Sequence, residues 1–239
     1  MKKILLFGIA LTSVFLTTGC IQIKKGTLSK EDYGDPVTRV VNVPDTFNAI
    51  ETFATTDVTY TQGPLKVTLT APEKKISDII VKVENGTLKV GLKDEEGNHN
   101  FINGYMYSKL TVSAPNVQTF TSTGTGDIEI KGLNTKDITL QTNGTGDINL
   151  TTGKCTKLVA TSTGTGDIDI EYLSCVIGDF NTNGTGDVKV KRLVADKISG
   201  VTTGTGDIIV TGECKEANLS STGIGDVKDK GLEIIKTDE

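Results

Sequence analysis

The chain of 239 residues has few of the side chains that build thick cores and metal sites. It contains no tryptophan, seven phenylalanines, five tyrosines and one histidine. So few aromatic residues suit thin layers filled by aliphatic side chains. The lone histidine, His99, and the lack of any Cys-x-x-Cys pair argue against a zinc site. Lysine and arginine number 25 against 30 acidic residues, a net charge of −5. Because nucleic-acid binding needs a basic stripe, no nucleic-acid partner is expected.

The N-terminus has the pattern of a targeting segment. Lys2 and Lys3 precede the apolar stretch Ile4–Phe15, which is too short to span a bilayer as a helix. The following Leu16-Thr17-Thr18-Gly19-Cys20 resembles a bacterial lipoprotein signal, although Thr17 stands where a leucine is usual. The pattern predicts a signal peptide over residues 1–19, lipid on Cys20 as the link to a membrane, and a polar tether over residues 20–37. The alternatives are a plain secreted protein and an uncleaved anchor.

Glycine is abundant, with 27 residues, and much of it lies in one repeated phrase. The phrase is G-T-G-D-I, with V for I in two copies and I for T in one. Its aspartates are Asp127, Asp147, Asp167, Asp187, Asp207 and Asp226. The first five follow each other at intervals of 20 residues and the last at 19. A fixed period in this range is typical of a solenoid.

The columns beside the phrase are those of short strands. Isoleucine, leucine or valine follows the first five aspartates at the first and third positions, so both face one side of a strand. No stretch has the apolar period of a helix. The sequence predicts an all-β fold, a right-handed parallel β-helix with coils of about 20 residues. We expect one domain over residues 38–239, with regular coils over about 121–229. Stacked antiparallel hairpins are the alternative. A column of small hydroxyls is expected to point inward: Ser122, Thr142, Ser162, Thr182, Thr202 and Ser221.

The two ends of this domain are expected to differ from its middle. Between Thr38 and Ser113 the strand patterns are irregular and predict the first coils and a cap, with a tight turn at Asn85-Gly86. Lys93–Asn103, which contains His99, is predicted to be a solvated loop. At the other end, Leu232, Ile234 and Ile235 are expected to cover the open coil.

The phrase itself has a structural explanation. Glycine tolerates the positive φ angles of sharp turns, and an aspartate can accept backbone N–H groups in an Asx-turn. Stacked carboxylates repel by roughly 1 kcal/mol per pair in water, whereas a charge-assisted hydrogen bond contributes about 1.5–3 kcal/mol. The six aspartates are therefore predicted to form coil corners without a cofactor, and calcium is the one cation considered.

Three functional alternatives start from the same residues. The phrase resembles the nonapeptide of calcium β-rolls, but the period is 20 instead of 9. The T-x-T phrases, such as Thr123-Gly124-Thr125, are similar to those of ice-binding β-helices, but they lie on a turn. A polysaccharide lyase or hydrolase would need a non-repeating cluster of acids and bases. Because no such cluster is visible, no catalytic residue is assigned and no enzyme is expected.

Two of the three remaining cysteines are one period apart. Cys155 and Cys175 should stack about 4.8 Å apart on neighbouring parallel strands, within the Cα range of a disulfide. An exported protein can keep such a bond, and the alternative is a pair of stacked small apolar residues. Cys214 lies about two coils further along and is predicted to be a free thiol.

Several segments together are similar to a known family. They are Phe47-Asn48-Ala49-Ile50, the Asp57-Val58 strand, Glu84-Asn85-Gly86-Thr87-Leu88, Leu110-Thr111-Val112-Ser113-Ala114-Pro115 and the six phrases. From about Arg39 to Val227 the chain resembles the putative auto-transporter adhesin, head GIN domain family. The resemblance implies a pectin-lyase-like right-handed β-helix without a recognised catalytic site, and a role in adhesion.

The expected protein is thus a lipid-anchored β-helix of the cell envelope that serves as a structural or adhesive surface for a glycan or a protein. Ile21 after the lipidated cysteine is not the aspartate of inner-membrane retention, which favours the outer membrane or the cell surface. Binding is expected on the faces of the coils or in the Lys93–Asn103 loop, not in the phrase.

Overall fold

The computed structural model of the protein describes residues 33–44, 46–93 and 107–235. In this part of the chain the elements are strands, apart from a 3-10 turn at Ile76–Asp78. The N-terminal strands are β1 (Pro36–Val40), β2 (Ala49–Thr52), β3 (Thr56–Gln62), β4 (Lys66–Pro72), β5 (Ile79–Glu84), β6 (Thr87–Leu92), β7 (Ser108–Ala114) and β8 (Thr119–Ser122). The array continues with β9 (Ile128–Ile130), β10 (Leu133–Asn134), β11 (Asp137–Thr142), β12 (Ile148–Leu150), β13 (Gly153–Ser162), β14 (Ile168–Ile170), β15 (Leu173–Thr182), β16 (Val188–Thr202), β17 (Ile208–Ser221) and β18 (Val227–Ile234).

The repeats stack as coils in parallel register. Ile148 of β12 is the register partner of Ile128 in β9 and of Ile168 in β14. Pairings between β11 and β13, β13 and β15, β15 and β16, and β16 and β17 are likewise parallel. This confirms the predicted all-β solenoid, with about six turns of about 20 residues. Stacked antiparallel hairpins are excluded for the array.

Each coil has three walls around a thin aliphatic core. We call the first the aspartate wall; it consists of β7, β3, β9, β12, β14 and the first three residues of β16 and β17. The second wall consists of β10 and the parts of β13, β15 and β16 that stack on it, among them the buried Leu173 and Leu193. The third contains β8, β11 and the later parts of β13, β15, β16 and β17. Ile128, Ile130 and their equivalents up to Val210 are at most 1% exposed, because alternate residues of each short strand point inward.

The N-terminal coils do not stack in chain order. Ile50 of β2 lies between Leu88 of β6 and Phe120 of β8. Val58 of β3 has Leu110 of β7 on one side and Ile128 of β9 on the other. The coil formed by β2 and β3 is therefore the second in the stack, between β6–β7 and β8–β9.

Antiparallel strands cover the base of the stack. β4 pairs with β7 and β1 pairs with β4, while β5 forms a hairpin with β6. The turn of that hairpin has φ angles of 51° at Asn85 and 76° at Gly86, as predicted for Asn-Gly. These strands form the expected cap, which covers the edge of the first coil.

Within the described residues, the opposite end of the stack is open, contrary to prediction. β18 runs parallel to β17, with Ile234 beside Cys214. Leu232 packs against the core, but Ile234 is 50% exposed and Ile235 43%. The two isoleucines do not cover the coil, because the chain here begins a further coil instead of folding across the end.

Candidate functional site

The repeat aspartates form a continuous hydrogen-bonded ladder on the outside of the coils. The backbone N–H of each one donates to Oδ1 of the aspartate one coil below. The N···O distances are 2.9 Å for Asp147 to Asp127, 2.8 Å for Asp167 to Asp147, 2.8 Å for Asp187 to Asp167, 2.7 Å for Asp207 to Asp187 and 2.8 Å for Asp226 to Asp207. Each aspartate directly precedes a strand of its coil, and the N–H that each of the first five binds lies in the next coil and not in a local Asx-turn.

The ladder has a lower member that sequence reasoning missed. The N–H of Asp127 donates to Oδ1 of Asp57 at 3.1 Å, since β3 lies directly below β9. The signal was present in the sequence: Asp57-Val58-Thr59-Tyr60 has the aspartate and the two inward positions of the repeat. The phrase glycines are absent there, and the match was therefore not recognised.

The phrase glycines are required by close packing between coils, not by positive φ. Within the described residues, positive φ occurs among the glycines at Gly34, Gly86 and Gly212 only. A Cβ on Gly144 would lie 2.0 Å from the carbonyl oxygen of Gly124, and one on Gly146 would lie 2.2 Å from that of Gly126. The predicted reason for these glycines is wrong, because at the glycine positions the neighbouring coil is too close for a Cβ.

The hydroxyl column is buried from Ser122 to Thr202, as predicted, whereas its last member, Ser221, is exposed. Oγ of Ser162 donates to the carbonyl oxygen of Gly166 at 2.9 Å, and Oγ1 of Thr202 donates to that of Gly206 at 2.7 Å. In the part of the chain that the structure describes, no buried side-chain polar atom lacks a partner. These hydroxyls hold the corner loops to the core. Ser162 and Thr202 each bind the backbone four residues ahead, whereas Thr142 and Thr182 donate to the carbonyl oxygens of Gly166 and Gly206 in the next coil.

Charge is distributed unevenly along the aspartate wall. Near the open end, Nζ of Lys189 lies 2.6 Å from Asp167 and 3.1 Å from Asp187, and Lys228 pairs with Asp207. Nearer the capped base, Lys109 is the one basic residue among those that line an open recess of about 460 Å³. We call this the acidic recess; its acidic side chains are those of Asp57, Asp127, Glu129, Asp169 and Glu171.

Burial alters the carboxylates around this recess. It raises the pKa of Asp147, and the neighbouring Asp127 and Asp167 add repulsion while the N–H of Asp167 opposes the change. Burial likewise raises the pKa of Asp169, against the nearby Lys189. The opposite holds for Asp207, whose pKa is lowered by the hydrogen bond from Lys228. The lining of the acidic recess has five acidic side chains against the one lysine, Lys109, while Lys191 outside the lining pairs with Glu171.

In the described chain the acidic groups follow the axis of the stack. Among the described residues, no group of three or more histidine, cysteine, aspartate or glutamate side chains is placed to hold a metal ion. Each repeat aspartate from Asp127 to Asp207 uses one carboxylate oxygen to accept the N–H above it. Ligands for calcium would have to converge on one point, whereas these carboxylates follow the axis of the stack.

The T-x-T phrases lie at the corner between the third wall and the aspartate wall. The first threonine of two phrases donates to an asparagine one coil below, from Thr163 to Asn143 at 2.8 Å and from Thr203 to Asn183 at 2.7 Å. The second threonine of each phrase is exposed, as Thr165 and Thr205 show. In these two phrases the hydroxyl of the first threonine is therefore bonded within the protein, and the second threonine faces solvent.

The cysteines lie in one column where the second and third walls meet. Cys155 and Cys175 are register partners, and Ala195 separates Cys175 from the buried Cys214. All three are free thiols. The structure brings the two predicted disulfide partners side by side without a bond between them.

Other predicted features fall outside the described residues. They are the signal peptide, the lipidation site Cys20, His99 and all of the Lys93–Asn103 loop beyond Lys93. Of the predicted tether, the described part includes Pro36 and Val37, which belong to β1. None of the described segments is a helix long and apolar enough to cross a membrane.

Comparison with known proteins agrees with this architecture. A family model described as "Putative auto-transporter adhesin, head GIN domain" matches residues 46–231. No functionally curated protein matches the chain.

Solved structures share the fold. A putative adhesin from Bacteroides fragilis NCTC 9343 is 24% identical, with a TM-score of 0.66, over 84% of this chain and 97% of the other. A protein from Parabacteroides distasonis ATCC 8503, named a putative lipid binding protein, is 18% identical, with a TM-score of 0.64, over 85% and 98%. A putative adhesin from the same strain is 15% identical, with a TM-score of 0.55, over 84% and 98%.

Proposed function

This chain belongs to the putative auto-transporter adhesin, head GIN domain family, and we propose that it is a non-enzymatic adhesive protein of the cell envelope. Its ligand is a glycan or a protein, bound on the aspartate wall. Lipid on Cys20 holds it at the outer membrane or the cell surface, with the solenoid as the part presented to the ligand.

One observation carries this proposal: the acidic recess in the aspartate wall. The outward side chains of β3, β9, β12 and β14 surround it, while the inward side chains of the same strands form the rigid core. Thr59 at its floor donates to Glu129 at 3.2 Å. Carboxylates on fixed strands can accept hydrogen bonds from sugar hydroxyls or pair with lysine and arginine of a protein, at little cost in backbone ordering.

The binding proposal is tested with the protein on arrays of glycans, envelope proteins and host-matrix proteins, with lipid vesicles as a further arm. The variant Glu129→Gln with Asp169→Asn removes two charges from the acidic recess. We expect a glycan or protein that binds the native chain to lose at least about tenfold in affinity, equivalent to 1.4 kcal/mol. A matched control, Asp137→Asn with Glu213→Gln, removes two exposed charges from other parts of the surface and should bind as the native chain does.

Each result that would contradict the binding proposal points to a different explanation. Equal loss in both variants would indicate a general charge effect, and no ligand on any arm would count against adhesion. Binding to vesicles alone would support lipid binding, the role named for the Parabacteroides relative. Release of sugar products would point instead to a polysaccharide-active enzyme, with Asp169 as a candidate acid because burial raises its pKa.

Anchoring is tested separately from binding. Cells that express the chain are fed an alkyne-labelled fatty acid, and the label is followed with the native chain and with Cys20→Ser. We expect label and membrane association in the native chain only. Label that persists in Cys20→Ser would contradict the lipid anchor without affecting the binding proposal.

A further inference from the structure

Cys155 and Cys175 differ in access to solvent although they are neighbours. Cys175 is 7% exposed, whereas Cys155 is half-buried. Both line a recess of about 370 Å³ whose lining includes the exposed Val176 and Val194. A small reagent in this recess would therefore meet Cys155 more readily than Cys175.

The pKa values of the two thiols also make Cys155 the better nucleophile. A hydrogen bond donated by the Cys175 thiol lowers the pKa of Cys155, against burial and the charge of Asp137. The same hydrogen bond raises the pKa of Cys175, and burial and Asp196 act in the same direction. Since the thiolate is the nucleophile in thiol–disulfide exchange, Cys155 is the better attacking group.

We propose that Cys155 and Cys175 form a thiol–disulfide exchange site, with Cys155 as the attacking thiol and Cys175 as the resolving thiol, that links two adjacent coils. The oxidant is a small disulfide. The Cys155 thiolate attacks one sulfur of that disulfide, a mixed disulfide forms, and one small thiolate leaves and takes up a proton. The Cys175 sulfur, having lost its proton, then attacks the sulfur of Cys155 and expels the second small thiol. Two protein thiols are oxidised and one disulfide is reduced to two thiols.

The distance between the two strands permits a disulfide between Cys155 and Cys175. Register partners on parallel strands lie about 4.8 Å apart, inside the Cα range of disulfides. Cys214 is excluded as a partner of Cys175, because Ala195 lies between them in the column. The link would join β13 to β15, and it follows from this geometry independently of what the aspartate wall binds.

The chain offers a direct experiment. The native protein is incubated with oxidised glutathione, free thiols are then alkylated, and the product is digested with trypsin and analysed by mass spectrometry without reduction. Cys155, Cys175 and Cys214 fall in separate tryptic peptides: Cys155–Lys157, Leu158–Lys189 and Ile198–Lys215. We expect a cross-link between Cys155–Lys157 and Leu158–Lys189, with Cys214 alkylated.

Variants separate the two roles. In Cys175→Ser, Cys155 should accumulate as the mixed disulfide with glutathione. In Cys155→Ser, Cys175 should react at least about tenfold more slowly than Cys155 does in Cys175→Ser, because it is buried. Cys214→Ser is the matched control and should cross-link as the native chain does. A mixed disulfide that persists on Cys155 in the native chain, or a cross-link through Cys214, would overturn the proposal.

Discussion

At the scale of single residues, the distance between coils decides which side chains the corner can hold. Gly164 is an example: a Cβ there would lie 2.0 Å from the carbonyl oxygen of Gly144. The neighbouring backbone cannot retreat, because the N–H of Thr165 donates to that same carbonyl at 2.9 Å. The glycines recur in every copy of the phrase because the coils lie this close together at every corner.

Gly164→Ala should destabilise the protein strongly. The added methyl group meets backbone instead of a flexible side chain, and the cost of such overpacking is about 3 kcal/mol or more. Gly132→Ala is the matched control, since nothing lies within 4 Å of a Cβ at that position. Urea unfolding of both variants measures the difference. Equal midpoints would show that the corners can separate at no cost.

Features that depend on neighbouring residues in the sequence could be predicted, whereas contacts between distant residues could not. The period of the aspartates and the alternation of Ile128 and Ile130 are local in sequence, and they sufficed for the coil and its inward columns. The bond from the Asp127 N–H to Asp57 was not accessible in this way. It joins residues 70 positions apart and depends on which coils are neighbours.

At the scale of elements, the aspartate wall combines two electrostatic environments. Lys189 neutralises Asp167 and Asp187. In the acidic recess Lys109 is the one basic residue of the lining, and Glu171 pairs with Lys191 outside it. The recess was not predicted, because β3 and β7 join the wall only through the out-of-order stacking of the N-terminal coils. The sequence shows Asp57 and Glu129 as parts of separate strands, without their juxtaposition.

The opposite pKa shifts along the aspartate wall predict how the stability of the fold depends on pH. The raised pKa values of Asp147 and Asp169 mean that, as the pH falls, the folded chain binds protons before the unfolded chain does. Stability should therefore rise from neutral pH down to about the ordinary value of 3.8. Below that value the lowered pKa of Asp207 acts in the opposite direction, and its contribution is lost as the pH falls further.

The measurement is the urea midpoint as a function of pH. In Asp147→Asn with Asp169→Asn the rise between neutral pH and 3.8 should shrink, while Oδ1 of the new asparagine at 147 can still accept the N–H of Asp167. The control, Asp137→Asn with Glu213→Gln, should keep the full rise. A rise of equal size in all three proteins would place its origin outside the aspartate wall.

At the scale of the whole molecule, the two ends of the stack are unlike. The base is covered by β1, β4 and β5. At the other end, no strand of the described chain covers β18 or the exposed Ala217 and Asn218 of β17. In a solenoid each coil contacts only its neighbours, so local stability depends on having a neighbour on both sides. The open end should be the least stable part of the described chain.

Amide hydrogen exchange tests this gradient. We expect the amides of β18 to exchange on the order of 1,000-fold faster than those of β14 and β15, because opening the last coil exposes little buried surface. Ile234→Ser should leave the pattern unchanged, since this side chain is half exposed. Ile168→Ala should speed exchange in the middle coils, where the side chain is fully buried. Equal protection of β18 and β15 would mean that the stack unfolds only as a whole, or that a partner covers the open end.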